Sequence, residues 1–212
     1  MNMKNLQTVE IPYEKITSMF RTFEKCTNLT SSPVCGPNVT EMRNAYYQCA
    51  NLTGSPVCGD NVRSMRNAYL GCLNLTGAPA VGYFVSDMAG AYEGCTKLTG
   101  APNFGSSIQY INSAYNRCVN LSGNAYIYAT SLTNAAKCFG GRTNPNLISQ
   151  INIYVRQSSS ALNTLLATTA ATSLVGAAIT WTNAGNYFYN NRYKLNIYPV
   201  HNVWAAREAN GD

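Results

Sequence analysis

The chain has 212 residues, 11% of them charged and 11% aromatic, with a formal net charge of +6, eight cysteines and one histidine. That length can bury a sizeable core, and low charge with many aromatics excludes a disordered, charge-driven chain. No apolar run approaches the roughly 18 residues of a membrane span. The start MNMKNLQTVEIPYEK has no apolar run behind its lysine, so we do not read it as a secretory signal, and the scattered basic residues form no phosphate-tracking stripe.

Residues 1–15 are expected to form an N-terminal cap. From there Cys26, Cys49, Cys72, Cys95 and Cys118 recur every 23 residues, the mark of a solenoid whose units bury their apolar faces against one another. Around each cysteine the same letters return. Seven positions before it stand Met19, Met42, Met65, Met88 and Ile111; four before, Thr22, Ala45, Ala68, Ala91 and Ala114. Three before stand Phe23, Tyr46, Tyr69, Tyr92 and Tyr115; three after, Leu29, Leu52, Leu75, Leu98 and Leu121. These columns are the expected repeat core. Turned at about 100° per residue they share one arc, which predicts an amphipathic helix of about three turns ending near the cysteine. The N-L-T-G beyond it, as in Asn51–Gly54, suits a left-handed stop. Proline two residues later (Pro56, Pro79, Pro102) leaves a short extended piece at 57–58, 80–81 and 103–104 that can stack as a parallel strand.

The pattern V-x-x-M-x-x-[AM]-[FY]-x-x-C-x-x-L-x-x-x-P, clearest in VTEMRNAYYQCANLTGSPV and VRSMRNAYLGCLNLTGAPA, resembles the BspA-like leucine-rich repeats of bacterial surface proteins. The resemblance covers residues 16–125. It implies an adhesive or attachment role, since such repeats occur in adhesins and in host-attachment or virion proteins of bacteriophages. The expected fold is an α/β solenoid of helix, turn and short parallel strand. It occupies 16–140, with five clear units and a degenerate sixth that includes Leu132, Ala135, Ala136 and Phe139.

Residues 141–212 read as a C-terminal α/β cap or interaction segment. Strand-like runs lie at Ile151–Val155, Ala178–Thr182, Tyr187–Tyr189 and Lys194–Tyr198, with a helix at Leu162–Leu166 and another at the end. Trp181, Tyr187, Tyr189 and Tyr193 stand among Asn, Thr and Gly and are the candidate contact residues, because rings bordered by amides suit sugar faces or wet protein interfaces.

Catalytic chemistry has little to build on. The core cysteines lie in one apolar register, His201 has no ligand beside it, and neither a C-x-x-C nor an H-E-x-x-H occurs, so no metal, cofactor or enzyme activity is expected. Cys35 and Cys58 share a column within bridging reach of each other; we read them as free thiols, the bridge remaining open. The N-L-T and N-L-S triplets at Asn28, Asn51, Asn74 and Asn120 match a glycosylation acceptor and also fit a stacked Asn/Thr column; we favour the column. Arg43 and Arg66 read as solvated charges. The expected function is that of a bacteriophage virion protein of tail-fibre or receptor-binding type. Its partners would be other virion subunits or a host-surface glycan or protein, with self-association allowed, and nucleic acid and membrane insertion are not expected. The alternatives are a bacterial cell-surface adhesin or interaction module, and a purely structural capsid or tail decoration protein.

Overall fold

The computed structural model describes residues 4–8, 10, 12–32, 34–105, 107–129, 138–139, 148–155, 186–187 and 194–199. Consecutive 23-residue units lie one on another in parallel: Ser18 bridges Glu41, Glu41 bridges Ser64, Ser64 bridges Asp87 and Asp87 bridges Tyr110. The repeat columns point inward. Met42, Tyr46, Cys49, Leu52, Met65, Tyr69, Cys72, Leu75, Met88, Tyr92, Cys95, Leu98, Tyr115, Cys118 and Leu121 are all fully buried and belong to one cluster.

The predicted helix is absent. Among the described residues the only helical element is a single 3-10 turn, Tyr13–Lys15. The segment from methionine to cysteine is instead a run of overlapping turns. In the second unit the N–H groups of Ala45, Tyr47 and Cys49 donate to carbonyls three residues back, on Met42, Asn44 and Tyr46, at 3.0–3.2 Å. The alternate N–H groups leave the unit altogether: Met42, Asn44, Tyr46 and Gln48 donate to Ser64, Arg66, Ala68 and Leu70 of the next one. The run turns because two of its residues in each unit have positive φ, four positions apart. One column is Arg21, Asn44, Asn67, Gly90 and Ser113; the other is Lys25, Gln48, Gly71, Gly94 and Arg117. A left-handed residue at every fourth position cannot belong to a right-handed helix.

The predicted strands also move. The pieces at 57–58, 80–81 and 103–104 carry no ladder, and the parallel bridges fall instead in the column of Ser18, Glu41, Ser64, Asp87 and Tyr110. Proline explains part of this, since it brings no donor to a ladder. The extended piece is held by tyrosine: Tyr69 Oη donates to the Val57 carbonyl at 2.6 Å and accepts the Val57 N–H at 2.9 Å. Tyr115 does the same with Asn103, and Tyr92 donates to Ala80.

The rings form a continuous pile. Phe23, Tyr46, Tyr69, Tyr92, Tyr115 and Phe139 stack face to face with centroids 5.0–5.9 Å apart. Phe139 is the last ring of the pile among the described residues, and the carbonyl of Cys138 beside it accepts the Tyr115 N–H at 2.8 Å. Of the expected sixth unit, Leu132, Ala135 and Ala136 lie outside the described residues.

After the stack come β1 (Gly123–Ala129), β2 (Ile148–Val155), β3 (Asn186–Tyr187) and β4 (Lys194–Pro199), ordered β1-β2-β4-β3. The first three in that order are parallel, and β3 runs antiparallel to β4. Ile151–Val155 and Lys194–Tyr198 thus fall inside β2 and β4. β1 covers residues where the repeat loses its register, and no strand was expected there. Ile127, Ile153 and Ile197 share one register row, and Tyr128, Tyr154 and Tyr198 share the next. Ala178–Thr182, Leu162–Leu166 and the terminal segment lie outside the described residues.

Candidate functional site

The repeated thiols serve the stack. The thiols of Cys49, Cys72, Cys95 and Cys118 donate to the carbonyls of Phe23, Tyr46, Tyr69 and Tyr92 in the preceding unit, at 2.9–3.1 Å. Burial pushes the Cys49 thiol up to about 12 and holds those of Cys72, Cys95 and Cys138 well above their ordinary value. A thiol so placed is protonated near neutrality and is a poor nucleophile.

Cys35 and Cys58 differ in being half-buried. Both are free thiols. They lean the same way along the stack: Cys58 Sγ accepts the Gly82 N–H at 3.1 Å, and Cys35 Sγ lies against Gly59 of the next unit. Burial pushes Cys58 up to about 12 and raises Cys35.

A glycine column that the apolar spacing does not reveal runs beside them. Gly36, Gly59, Gly82 and Gly105 recur every 23 residues, and a Cβ on Gly105 would lie 2.8 Å from the Gly82 carbonyl. The period was there to be found, but attention to apolar letters passes over glycine.

The Asn/Thr column is present in the turns. Asn74 and Asn120 donate to the carbonyls of Ala50 and Thr96 at 3.0 and 2.8 Å, and Thr53 Oγ1 to that of Thr30 at 2.8 Å. Arg43 and Arg66 are paired rather than merely solvated, with Glu41 at 2.8 Å and Asp87 at 2.9 Å. Both arginines are about half exposed, so the pairs contribute little to stability.

Among the described residues two exposed aromatic features remain. Tyr83 and Phe84 meet edge to face at 5.0 Å. Phe84 occupies the position where Asn38 and Asn61 send amides to the carbonyls of Glu14 and Pro37. Phe20 lies under the guanidinium groups of Arg21 and Arg43, at 5.2 and 5.1 Å.

Of the contact residues expected from sequence, Tyr187 lies in β3, paired with Lys194 of β4. Trp181, Tyr189 and Tyr193 lie outside the described residues, as does His201. Among the described residues no group of three or more His, Cys, Asp or Glu could hold a metal ion, and no helix is long and apolar enough to cross a membrane. Comparison with protein-family models, with curated proteins and with solved structures finds no match.

Proposed function

We propose that the chain is a non-enzymatic repeat protein of solenoid type that acts in a bacteriophage virion, as a tail-fibre or receptor-binding component at the host surface. The observation that supports a scaffold over an enzyme is the fate of the repeated thiols, which are hydrogen-bonded to main-chain carbonyls inside the stack. Its repeated polar side chains bond from unit to unit, which is what a rigid support for a recognition surface requires. The virion assignment rests on the resemblance of the 23-residue pattern to BspA-like leucine-rich repeats. Recognition is assigned to the C-terminal segment, through Trp181, Tyr187, Tyr189 and Tyr193, toward a host glycan or protein or toward neighbouring virion subunits.

The second reading, an adhesin or interaction module at a bacterial surface, is favoured by the same resemblance. A double variant, Tyr187→Ala with Tyr189→Ala, separates the roles. Retained folding with loss of cell binding supports attachment, and loss of particle incorporation alone makes the protein an assembly component. Full retention of both activities removes these residues from the site.

A further inference from the structure

Cys35 and Cys58 are bonded in the opposite sense to the thiols of the core. Cys49, Cys72, Cys95 and Cys118 donate S–H to carbonyls at 2.9–3.1 Å. Cys58 Sγ instead accepts the Gly82 N–H at 3.1 Å, and the main chain of Gly59 plays the same part for Cys35. The routes from these two thiols to a carbonyl are longer, 3.9 Å from Cys35 to Gly36 and 3.6 Å from Cys58 to Gly59. An N–H donated to sulfur favours the thiolate, which is the form that binds a metal. Both thiols are half-buried, so an ion can reach them from solvent, whereas the core thiols are closed off.

The two sulfurs are placed for one ion. They lean the same way in consecutive units, so they lie about one unit spacing apart, roughly 5 Å. A metal held by two thiolates at about 2.3 Å each spans up to about 4.6 Å, a difference that a small side-chain rotation closes. The glycine column gives the sulfurs their room: a Cβ on Gly59 would come to 3.0 Å from Cys35 Sγ, and one on Gly82 to 3.3 Å from Cys58 Sγ. A third sulfur stands beside them. Met42 Sδ is 3.8 Å from Cys35 Sγ and is held by a fully buried side chain. Two sulfurs that far apart subtend about 110° at a metal about 2.3 Å from each, an ordinary ligand angle.

The geometry points to a soft-cation site in which Cys35, Cys58 and Met42 hold one Cu(I) ion across two units of the stack. Thiolate and thioether sulfur select monovalent copper, while zinc would lack a fourth ligand. On binding, both thiols release their protons to solvent and copper remains Cu(I), so no electron is transferred. The spacing of these three residues matches no metal motif, because the ligands meet across the stack rather than along the chain. The site is independent of where the chain acts.

The full chain is titrated anaerobically with Cu(I) against a chromophoric Cu(I) chelator. The double variant Cys35→Ser with Cys58→Ser and the single variant Met42→Leu are titrated beside it. All three substitutions are close to isosteric, and unchanged circular dichroism verifies folding. The expected result is one ion per chain, with affinity at least about 100-fold lower in the double variant and about tenfold lower in Met42→Leu. In the unmodified chain one equivalent of Cu(I) should slow alkylation of Cys35 and Cys58 at least about tenfold, with the circular dichroism spectrum unchanged. Failure to compete with the chelator, affinity in either variant equal to that of the parent, or copper uptake only with loss of the folded spectrum would overturn the proposal.

Discussion

The Tyr69 hydroxyl both donates to the carbonyl and accepts from the N–H of Val57, at 2.6 and 2.9 Å, so one side chain satisfies both main-chain groups of a residue that has no ladder. Tyrosine in this column therefore has two separable roles, ring stacking and hydrogen bonding. Tyr69→Phe keeps the pile and leaves Val57 unsatisfied, with an expected cost of about 1–3 kcal/mol. Tyr69→Ala loses the ring as well and should cost about 3–5 kcal/mol. Arg66→Ala removes an exposed ion pair with Asp87 and should stay within about 1 kcal/mol. Denaturant unfolding of the three variants orders them, and equal losses would contradict the buried column.

The glycine column makes a paired prediction. Gly105→Ala brings a Cβ to 2.8 Å from the Gly82 carbonyl and 2.9 Å from that of Val85. Both are main-chain atoms that cannot swing aside, so a loss of about 1–3 kcal/mol is expected. Gly54→Ala meets nothing within 4 Å, but φ there is +78°, and the cost should be about 1–2 kcal/mol from conformation alone. Thermal unfolding of the two variants checks both, and a Gly105→Ala chain as stable as the parent would contradict the close approach of the stacked main chains.

The core columns could be read from sequence because burial leaves letters at fixed intervals, and Met42, Tyr46, Cys49 and Leu52 lie inside as their spacing implies. The backbone carrying them could not be read the same way. Met42 to Tyr46 and Ala45 to Cys49 are both four residues apart, and a four-residue turn period differs from the helical 3.6 by only about 0.8 residue over two repeats. The contrary signal was Asn44, Asn67 and Gly90 in one column and Gly71 and Gly94 in another, residues that tolerate left-handed backbone and weaken a helix. In the sheet, Asn152-Ile153-Tyr154 and Asn196-Ile197-Tyr198 repeat a tripeptide that pairs in register, at an interval too irregular for a 23-residue search.

The thiols give a chemical prediction. In native protein Cys49, Cys72 and Cys95, fully buried and bonded to carbonyls, should resist alkylation, and all should react after denaturation without reductant. Cys35 and Cys58, half-buried, should label first, although slowly at neutral pH. Mass spectrometry of the alkylated peptides checks both statements, and bridged peptides would contradict them.

Alkali should unfold the stack. Free thiols and phenols titrate near 9.0 and 10.0, whereas burial raises Cys49 to about 12 and Tyr69, Tyr92 and Tyr115 well above their ordinary value. The native chain keeps protons that the unfolded chain releases. The contribution of these groups is therefore whole below about pH 9 and is lost as pH rises through the folded values. The melting temperature should be unaffected by them from about pH 6 to 8 and fall steadily above 9.

The central structural claim is that main-chain bonds in the repeat run between units rather than along a helix, and Tyr46 tests it most directly. Its N–H donates to the Ala68 carbonyl in the next unit at 2.7 Å. Hydrogen-bond scalar couplings measured by NMR on isotope-labelled chain should connect the Tyr46 nitrogen with the Ala68 carbonyl carbon, and the Tyr69 nitrogen with that of Ala91. Couplings from Tyr46 to Met42 and from Tyr69 to Met65, four residues back, would mean a helix and would contradict the account.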